Sequence, residues 1–553
     1  MSSCISRLPV ELLTDIFAHV SSPFVDRRRN AEREVVWPTL FGLKDATALF
    51  PLMHVCRHWR TVALQSPSLW TTLHGRMHLS KADEYLARSQ GMALHVVNFP
   101  HGRLDIEHLC QISGSRVRSL FYDRSYDHKC LELGDHNIDT FGISSAYSLY
   151  TIPPPLPLKS TTGLKVLVLN HIMWLPENSF SNLTHLFVAN IQVRTSQLLE
   201  LLASTPKLTD LGLYNLHVDL QARSSEGLGL PVANLAHLRR LSVGKRTKFH
   251  LPRLFSQMTV PSLSAASFDG CDPMSIIAPL SRLLIGVEFT AIRVSSSSAE
   301  MAVVATCQSS AVRFSRYHNR RSEPWSAELL EQLPGRETIR ELWLDHEYAI
   351  GRGDLGCLLR SLPGLTRLYT NASQLQHLHD WLSNSEDPIY CPNLTTLYLM
   401  WKRDFPDRIF DIVGDRARLC CPLKEVVIHQ RGPSSEGDWR DHALEALQPY
   451  VETIRFIGPD GKAPMIAVPD ACIDGNPSPY FWPKDWVSNR FYERCCEADR
   501  HTDVRSTRAS RRTLLRKLYP VIGLADPTNK VEMDIYADFT LSDVFTSWVS
   551  YSR

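Results

Sequence analysis

The chain has 553 residues, of which 44% are hydrophobic and 21% are charged, and its formal net charge is +2. This composition is typical of a folded globular protein, and the length exceeds one ordinary compact core unless the chain is a repeat array. The small net charge gives no general argument for binding nucleic acid or an anionic membrane, and no apolar run reaches the ~18 residues of a membrane-spanning helix.

Thirteen cysteines are scattered along the chain without a C-x-x-C pair. The adjacent Cys495 and Cys496 lie near His501, but adjacent thiolates chelate zinc poorly, so we interpret them as structural and expect no metal site. Residues 1–8 lack the apolar run of a signal peptide, and the acidic Glu11 follows. We therefore expect reduced thiols and a location in the cytoplasm, the nucleus or both.

Apolar residues recur at helical spacing close to the N-terminus. They are Leu12, Leu13, Ile16, Phe17 and Val20. Pro9 suits the first turn of this helix, where its missing N–H is no loss. A second helical pattern covers residues 52–63, and Pro67 ends it.

Three blocks in this region resemble an F-box, most closely the F-boxes of large fungal families. The blocks are Leu8-Pro9-x-Glu11-Leu12-Leu13-x-x-Ile16-Phe17, Val55-Cys56-Arg57-x-Trp59-Arg60-x-Val62-Ala63 and Pro67-x-Leu69-Trp70. The resemblance covers about residues 5–75, and residues 24–51 form a longer link than is usual between the first two blocks. It implies an all-α helical hairpin.

The resemblance also implies that this hairpin docks on a Skp-type adaptor and, through it, on a cullin. The motif positions that would meet the adaptor are Leu8, Pro9, Leu12, Leu13, Ile16, Phe17, Val55, Cys56 and Trp59. Leu69 and Trp70 would join the F-box to the following region. An apolar stripe that a short hairpin cannot cover suits docking on a partner's helices. The alternative is that these helices are the N-terminal part of a larger core.

The pattern L-x-x-L-x-L, with substitutions, returns nine times after the F-box. Its copies begin at Leu164, Leu183, Leu208, Leu238, Ile339, Leu365, Leu394, Leu423 and Val451, and weaker copies begin at Val117, Leu263 and Leu284. Most spacings are roughly 20–30 residues, which is the range of leucine-rich repeats. One copy alone would carry no weight, but nine in succession predict a repeat array.

Helical patterns lie between these predicted strands. They cover residues 196–204, 375–382, 405–419 and 439–447, and an earlier helix (80–89) precedes a strand (93–99). Alternating strands and helices at this period predict an α/β solenoid, a leucine-rich-repeat horseshoe, after the F-box. A doubly wound α/β domain is the alternative. Residues 129–159, with the proline-rich run at 153–157, and residues 295–324 read as irregular, apart from one weak strand at 311–314.

We therefore predict three regions. Residues 1–75 form the F-box domain with an inserted loop near 24–50, residues 76–458 form the solenoid, and residues 459–553 cover its end. The arginine-rich run at 500–517 fits a solvated helix face better than a nucleic-acid site.

Three glycines match a dinucleotide fingerprint literally: Gly351, Gly353 and Gly356. The fingerprint needs them at the tight turn between a strand and a helix, whereas several residues intervene after the predicted strand at 342–344. No other catalytic pattern is present, so we expect a protein that is not an enzyme and needs no cofactor.

The residue between the second and third leucines of each repeat points to the face opposite the helices. In three successive repeats it is Trp343, Tyr369 and Tyr398, and in an earlier one it is Phe187. Flanking positions on that face are Glu341, Asp345, Arg367 and Asn371. We expect these rings to form a ladder that binds a target protein. Alternatively, the rings pack on each other or lie under the proline-rich loop or the C-terminal tail.

These patterns favour a substrate-recognition subunit of a Skp–cullin–F-box ubiquitin ligase. The alternatives are a scaffold that binds the adaptor without ubiquitylation of a target, and a nucleotide-dependent enzyme that rests only on the glycine match.

Overall fold

The computed structural model describes two compact units. The described residues are 8–20, 49–75, 77–98, 109, 113–123, 138–144, 161–172, 175–176, 179–218, 230–244, 247, 251–270, 273–284, 286–296, 300–317, 325–346, 352–383, 389–401, 407–430, 439–458, 461, 464–473 and 486. The first unit comprises residues 1–22, 46–64 and 488–553, and the second comprises 23–45 and 65–487.

The first unit is helical where it is described. Its helices are α1 (Val10–Val20), α2 (Leu49–Met53) and α3 (Arg57–Gln65). The single helix predicted over 52–63 is thus divided. The division lies at Cys56, whose Sγ accepts a hydrogen bond from the Trp59 N–H (3.5 Å) and whose carbonyl accepts one from the Arg60 N–H (3.1 Å). Cys56 therefore accepts the first helical hydrogen bond of α3, and its thiol satisfies the Trp59 N–H, which has no helical partner.

The second unit contains a 17-stranded sheet. Its strands are β1 (Thr72–His74), β2 (Leu94–Asn98), β3 (Val117–Asp123), β4 (Thr140–Ser144), β5 (Val166–Asn170), β6 (His185–Ala189), β8 (Asp210–Tyr214), β11 (Arg240–Val243), β13 (Ala265–Asp269), β14 (Ala291–Ser296), β15 (Glu300–Thr306), β16 (Ala311–Tyr317), β17 (Glu341–His346), β18 (Arg367–Asn371), β19 (Thr396–Trp401), β20 (Glu425–Gln430) and β21 (Thr453–Ile457). The short strands β7 (Gln192–Val193), β9 (His217–Val218), β10 (Ala233–Asn234) and β12 (Met258–Thr259) form two small parallel pairs.

Helices alternate with the strands of this unit. They are α4 (Leu79–Arg88), α5 (Thr195–Ala203), α6 (Leu251–Ser256), α7 (Pro273–Leu283), α8 (Trp325–Gln332), α9 (Arg352–Arg360), α10 (Leu375–Leu382), α11 (Arg408–Arg418), α12 (Trp439–Leu447) and the short α13 (Asp470–Ile473). Helices from α5 to α12 contact their sequence neighbours, which gives a helical layer that follows the order of the strands. The predicted helices at 80–89, 196–204, 375–382, 405–419 and 439–447 are all present.

Each strand of the sheet pairs in parallel with its neighbours, apart from one antiparallel insertion. Strands β14, β15 and β16 form an antiparallel meander, in which β16 pairs with β13 and β14 pairs with β17. The prediction that residues 295–324 are irregular is therefore wrong for β15, whereas the weak strand expected at 311–314 is present as β16. The prediction that residues 129–159 are irregular is wrong for β4, which pairs in parallel with β3 and β5.

All nine copies of the repeated motif coincide with strands, and each strand begins two residues after the first apolar position. The second apolar positions are register partners: Leu167 with Leu186, and Leu342 with Leu368 and then Leu397. The motif leucines are buried in all copies before the last, whereas those of β21 are half-buried at the sheet edge. The weak copy at 284 is wrong, because it falls before β14.

One backbone carbonyl before each strand accepts two N–H groups from the next repeat. The Thr184 carbonyl accepts from Thr209 and Asp210 at 2.8 and 3.0 Å, and the Thr366 carbonyl accepts from Thr395 and Thr396 at 2.9 and 3.0 Å. This pattern recurs along the sheet and fixes the register of each repeat on the previous one.

Polar side chains continue the register beyond three strand ends. Asn190 Nδ2 donates to Asn170 Oδ1 (2.8 Å), and Asn215 Nδ2 donates to Asn190 Oδ1 (2.6 Å). Asn190 and Asn215 both have positive φ (52° and 48°), a conformation that asparagine tolerates better than most residues. These three residues form an asparagine ladder across consecutive repeats.

The predicted C-terminal covering region is described at residues 461, 464–473 and 486, and its role in covering the end of the solenoid stays a prediction. Residues 464–473, here called the covering segment, pack on one sheet face, against residues of β13, β14, β15, β16 and β17. The insert at 24–48, the proline-rich run at 153–157, the pair Cys495 and Cys496, and the arginine-rich run lie outside the described residues. In the described part of the chain, no helix is long and apolar enough to span a membrane.

Candidate protein-binding surfaces

Helix α1 carries two neighbouring apolar sides with different exposure. Leu13 and Phe17 are fully buried, and the Phe17 ring packs edge-on against Trp59 with 5.3 Å between ring centroids. Leu12 is 51% exposed and Ile16 is partly exposed. Residues four apart share one side of a helix, so the pair at 12 and 16 forms an outward side and the pair at 13 and 17 an inward one.

The remaining F-box positions divide in the same way. Pro9, Val55 and Cys56 are exposed, with Val55 at 58%, whereas Leu8 and Trp59 are partly buried. Of the nine positions predicted to meet an adaptor, Leu13 and Phe17 are therefore internal in this conformation. The helical period alone did not separate them from Leu12 and Ile16, because all four residues are apolar.

The last block of the F-box motif packs within the second unit. Residues Pro67–Trp70 form a 3₁₀ helix, and the buried Trp70 ring packs edge-on against Tyr85 of α4 at 5.0 Å. The Arg88 guanidinium lies over the Trp70 ring at 4.4 Å. Leu69 and Trp70 therefore connect the F-box motif to the first helix of the sheet unit, as the sequence indicated.

The aromatic ladder is present on the sheet face opposite the motif leucines. Trp343 and Tyr369 are register partners and stack at 3.6 Å with an interplanar angle of 5°, and Tyr369 is 5.5 Å from Tyr398. Tyr398 Oη and His429 Nδ1 are 2.7 Å apart, so the row continues into β20. His429 was not predicted, because valine and not an aromatic residue occupies the corresponding motif position in that strand.

The prediction that these rings form an exposed surface is wrong for two of the three. Trp343 is 8% exposed and Tyr398 is 5% exposed, while Tyr369 is half-buried. Burial raises the pKa of Tyr369 above its usual value, and the neighbouring Glu341 adds to the rise. Phe187 is also buried, and its ring occupies the space that a side chain at Gly212 would need.

The polar residues beside the ladder are paired with each other. Arg367 Nη1 donates to Glu341 Oε1 at 2.6 Å, and Glu341 raises the pKa of Arg367. Asp345 forms a buried ion pair with Arg293, which the sequence pattern did not single out. Asn371 is buried and accepts a hydrogen bond from the Ser373 N–H at 3.1 Å. Of these four flanking residues, Glu341 and Arg367 are the charged ones that are not buried.

The covering segment accounts for the burial of Trp343. Ile466 is 4% exposed and packs with Ala291 and Trp343, and Val468 packs against the same group. Thr306 Oγ1 donates to the Ala467 carbonyl at 2.9 Å. Covering by the C-terminal tail and ring-on-ring packing were two of the three alternatives to a target-binding ladder, and both occur among the described residues.

The glycine fingerprint has a packing explanation. Gly353 and Gly356 lie within α9, and a Cβ at Gly356 would come within 2.5 Å of the Trp381 ring of α10. Gly356 thus permits close contact between two helices. Among the described residues, no group of three or more His, Cys, Asp or Glu side chains is placed to hold a metal ion.

A family model for F-box-like domains matches residues 5–76. The match covers α1, α2, α3 and the 3₁₀ helix, and it supports an F-box protein, as the three sequence blocks predicted. No curated protein matched the chain in sequence.

Proposed function

We propose that this chain is a substrate-recognition subunit of a Skp–cullin–F-box ubiquitin ligase. The observation that carries the proposal is the F-box-like domain at residues 5–76, joined directly to a large mixed α/β unit. F-box domains generally bind Skp-type adaptors. The second unit would then hold a target protein for ubiquitylation.

We further propose that the second unit is a leucine-rich-repeat solenoid. Nine motif copies at intervals of roughly 20–30 residues support this, as do the register pairing of their leucines and the helices between them. Each repeat buries its leucines only against its neighbours, so such an array offers a long continuous surface for a protein partner.

The proposed mechanism is proximity. The chain holds the target near a ubiquitin-loaded enzyme that other subunits supply, and holding two reactants together raises their effective concentration. The chain itself contributes no nucleophile and no cofactor in this scheme, so it is not an enzyme. It acts in the cytoplasm or nucleus, where the ligase components would meet it.

We assign the adaptor contact to the outward side of α1. Leu12, Ile16 and Pro9 are accessible there, and Val55 is exposed before α3. Exposed apolar groups of this kind are typical of a surface that a partner covers. Leu13 and Phe17 act indirectly, by holding α1 against the rest of the hairpin.

The proposed adaptor contact is tested by Leu12→Asp. Truncating a central apolar anchor typically costs ~2 kcal/mol or more, which corresponds to roughly 30-fold weaker binding. We expect at least this loss in a titration of the full chain with purified adaptor, with unchanged melting of the chain. Thr14→Asp is the matched control, because residue 14 lies about 200° around the helix from residue 12. Equal adaptor binding by wild type and Leu12→Asp would contradict the proposed contact.

The same preparation separates the ligase from a scaffold. A ligase subunit should bring down cullin together with the adaptor, and it should support ubiquitylation of co-purified proteins. A complex that contains the adaptor but excludes cullin would indicate the scaffold alternative.

A further inference from the structure

The covering segment has the burial pattern of a bound extended peptide. Residues 464–469 are neither helix nor strand, and exposure alternates along residues 464–468. Met465 is 64% exposed and Ala467 is exposed, whereas Ile466 is 4% exposed and Val468 is half-buried. This two-residue alternation places every second side chain on the sheet, which is how extended peptides dock on protein surfaces.

The sheet beneath the segment has a floor of small residues. Ala265, Ala311, Thr306 and Ala291 are register partners in sequence across β13, β16, β15 and β14. The bulkier Trp343 and Tyr369 border this floor on the side of β17 and β18. The resulting groove crosses the strands, and the covering segment occupies it.

The part of the groove under Ile466 and Val468 matches apolar side chains. Arg293 and Asp345 neutralise each other in a buried pair, and Glu341 and Arg367 do so at the margin. Ile466 packs with Ala291 and Trp343, and Val468 packs against this group and against a second one that includes Ala265, Ala311 and Trp486. The Thr306 hydroxyl adds one donor for a backbone carbonyl, which it gives to Ala467.

One group in the groove is left unsatisfied by the covering segment. The Trp343 side chain is 8% exposed, and its Nε1 has no hydrogen-bond partner among the described residues. A buried indole N–H normally has an acceptor. The Trp343 N–H is therefore a donor that an acceptor on a bound peptide would satisfy.

We propose that this groove is the docking site for an extended apolar peptide of the target protein, and that residues 464–468 occupy the site until the target peptide displaces them. The peptide carries two apolar side chains two residues apart, as Ile466 and Val468 are. The proposal rests on the proposed function for its target, but the groove and its occupancy are tested without any ligase component.

The probe is a fluorescein-labelled peptide with the sequence of residues 463–469, and the readout is fluorescence anisotropy with the full chain. Ile466→Asp with Val468→Asp should release the segment, so we expect this variant to bind the probe at least tenfold more tightly than wild type. Met465→Asp is the matched control, because its side chain points to solvent, and it should bind like wild type. Adding Trp343→Ala to the released variant should remove the binding. No gain in the folded, released variant would overturn the proposal.

A second measurement uses the unmodified chain, so it does not depend on a variant that folds. The methyl resonances of Ile466 and Val468, which lie against aromatic rings, should move toward their random-coil positions at saturating unlabelled probe, while methyl resonances of α1 stay unchanged. Unchanged Ile466 and Val468 resonances would overturn the proposal. Adaptor binding measured on the same samples distinguishes the ligase proposal from the groove proposal. If the adaptor does not bind, the ligase proposal is contradicted and the groove proposal is unaffected. If the adaptor binds but the probe does not displace the segment, only the groove proposal is contradicted.

Discussion

Two adjacent leucines on α1 differ in exposure, so a substitution at one affects stability and a substitution at the other affects binding. Leu13 is fully buried and Leu12 is half-exposed, although the two are adjacent in the chain. A change at Leu13 or Phe17 therefore acts on the hairpin's stability before it acts on any partner. Only changes at Leu12, Ile16 or Val55 can test binding directly.

We expect a half-buried histidine, His95, to make the second unit sensitive to acid. Burial lowers the pKa of His95 below 6.5, and its Nδ1 lies 3.0 Å from Ser119 Oγ. In the unfolded chain the imidazole keeps its ordinary pKa, so below about pH 6.5 the unfolded state binds more protons and folding stability falls. We expect the urea midpoint to drop between pH 7.5 and 5.5, and to drop less in His95→Asn. The same pH dependence in both proteins would contradict this role for His95.

Among the helices, we expect alanine substitutions at two glycines of α9 to change the stability of the second unit in opposite directions. Gly356→Ala should destabilise the second unit by about 1–3 kcal/mol, because the added methyl meets the Trp381 ring. Gly353→Ala has open space around its Cβ and should stabilise α9 by up to about 1 kcal/mol. Urea unfolding measures both. If the two variants had the same stability, the close contact between α9 and α10 would be contradicted.

The asparagine ladder offers a second test at this scale. Asn190→Ala loses hydrogen bonds to Asn170 and Asn215 and also forces alanine into positive φ, so we expect a cost of about 2–3 kcal/mol. Asn190→Gly loses the same hydrogen bonds without the backbone strain, and it should be about 1 kcal/mol less destabilised. Equilibrium unfolding of both variants gives the comparison. If Asn190→Gly were as unstable as Asn190→Ala, the positive φ at residue 190 would contribute nothing to the cost of the alanine substitution.

At the scale of the whole molecule, the covering segment should contribute to the stability of the sheet unit. Replacing residues 464–468 with Gly and Ser of equal length removes Ile466 and Val468 from the sheet, and burial of each such side chain is worth about 1.5–3 kcal/mol. We expect the melting temperature of this unit to fall by roughly 2 °C or more. Differential scanning calorimetry measures it, with Met465→Ser as the control. An unchanged transition would mean that the segment is held only weakly.

The amino-acid pattern was enough to predict the N-terminal F-box-like domain, nine strands of the sheet and four of the helices between them. These features depend on local periodicity: side chains three or four apart in α1, and leucines three and two apart in each repeat. The order of the aromatic ladder followed as well, because equal motif positions become register partners when repeats pair in parallel.

Which apolar residues are accessible depends on contacts between elements, and these contacts are not visible in a local sequence pattern. Leu12 and Leu13 belong to one helical pattern, and only the contact of Phe17 with Trp59 in another helix shows which side turns inward. The covering segment meets the sheet through residues far apart in the chain, such as Thr306 and Ala467, which are 161 positions apart. No local pattern encodes such a contact, because it arises from complementarity between a short apolar segment and a floor that four strands build together.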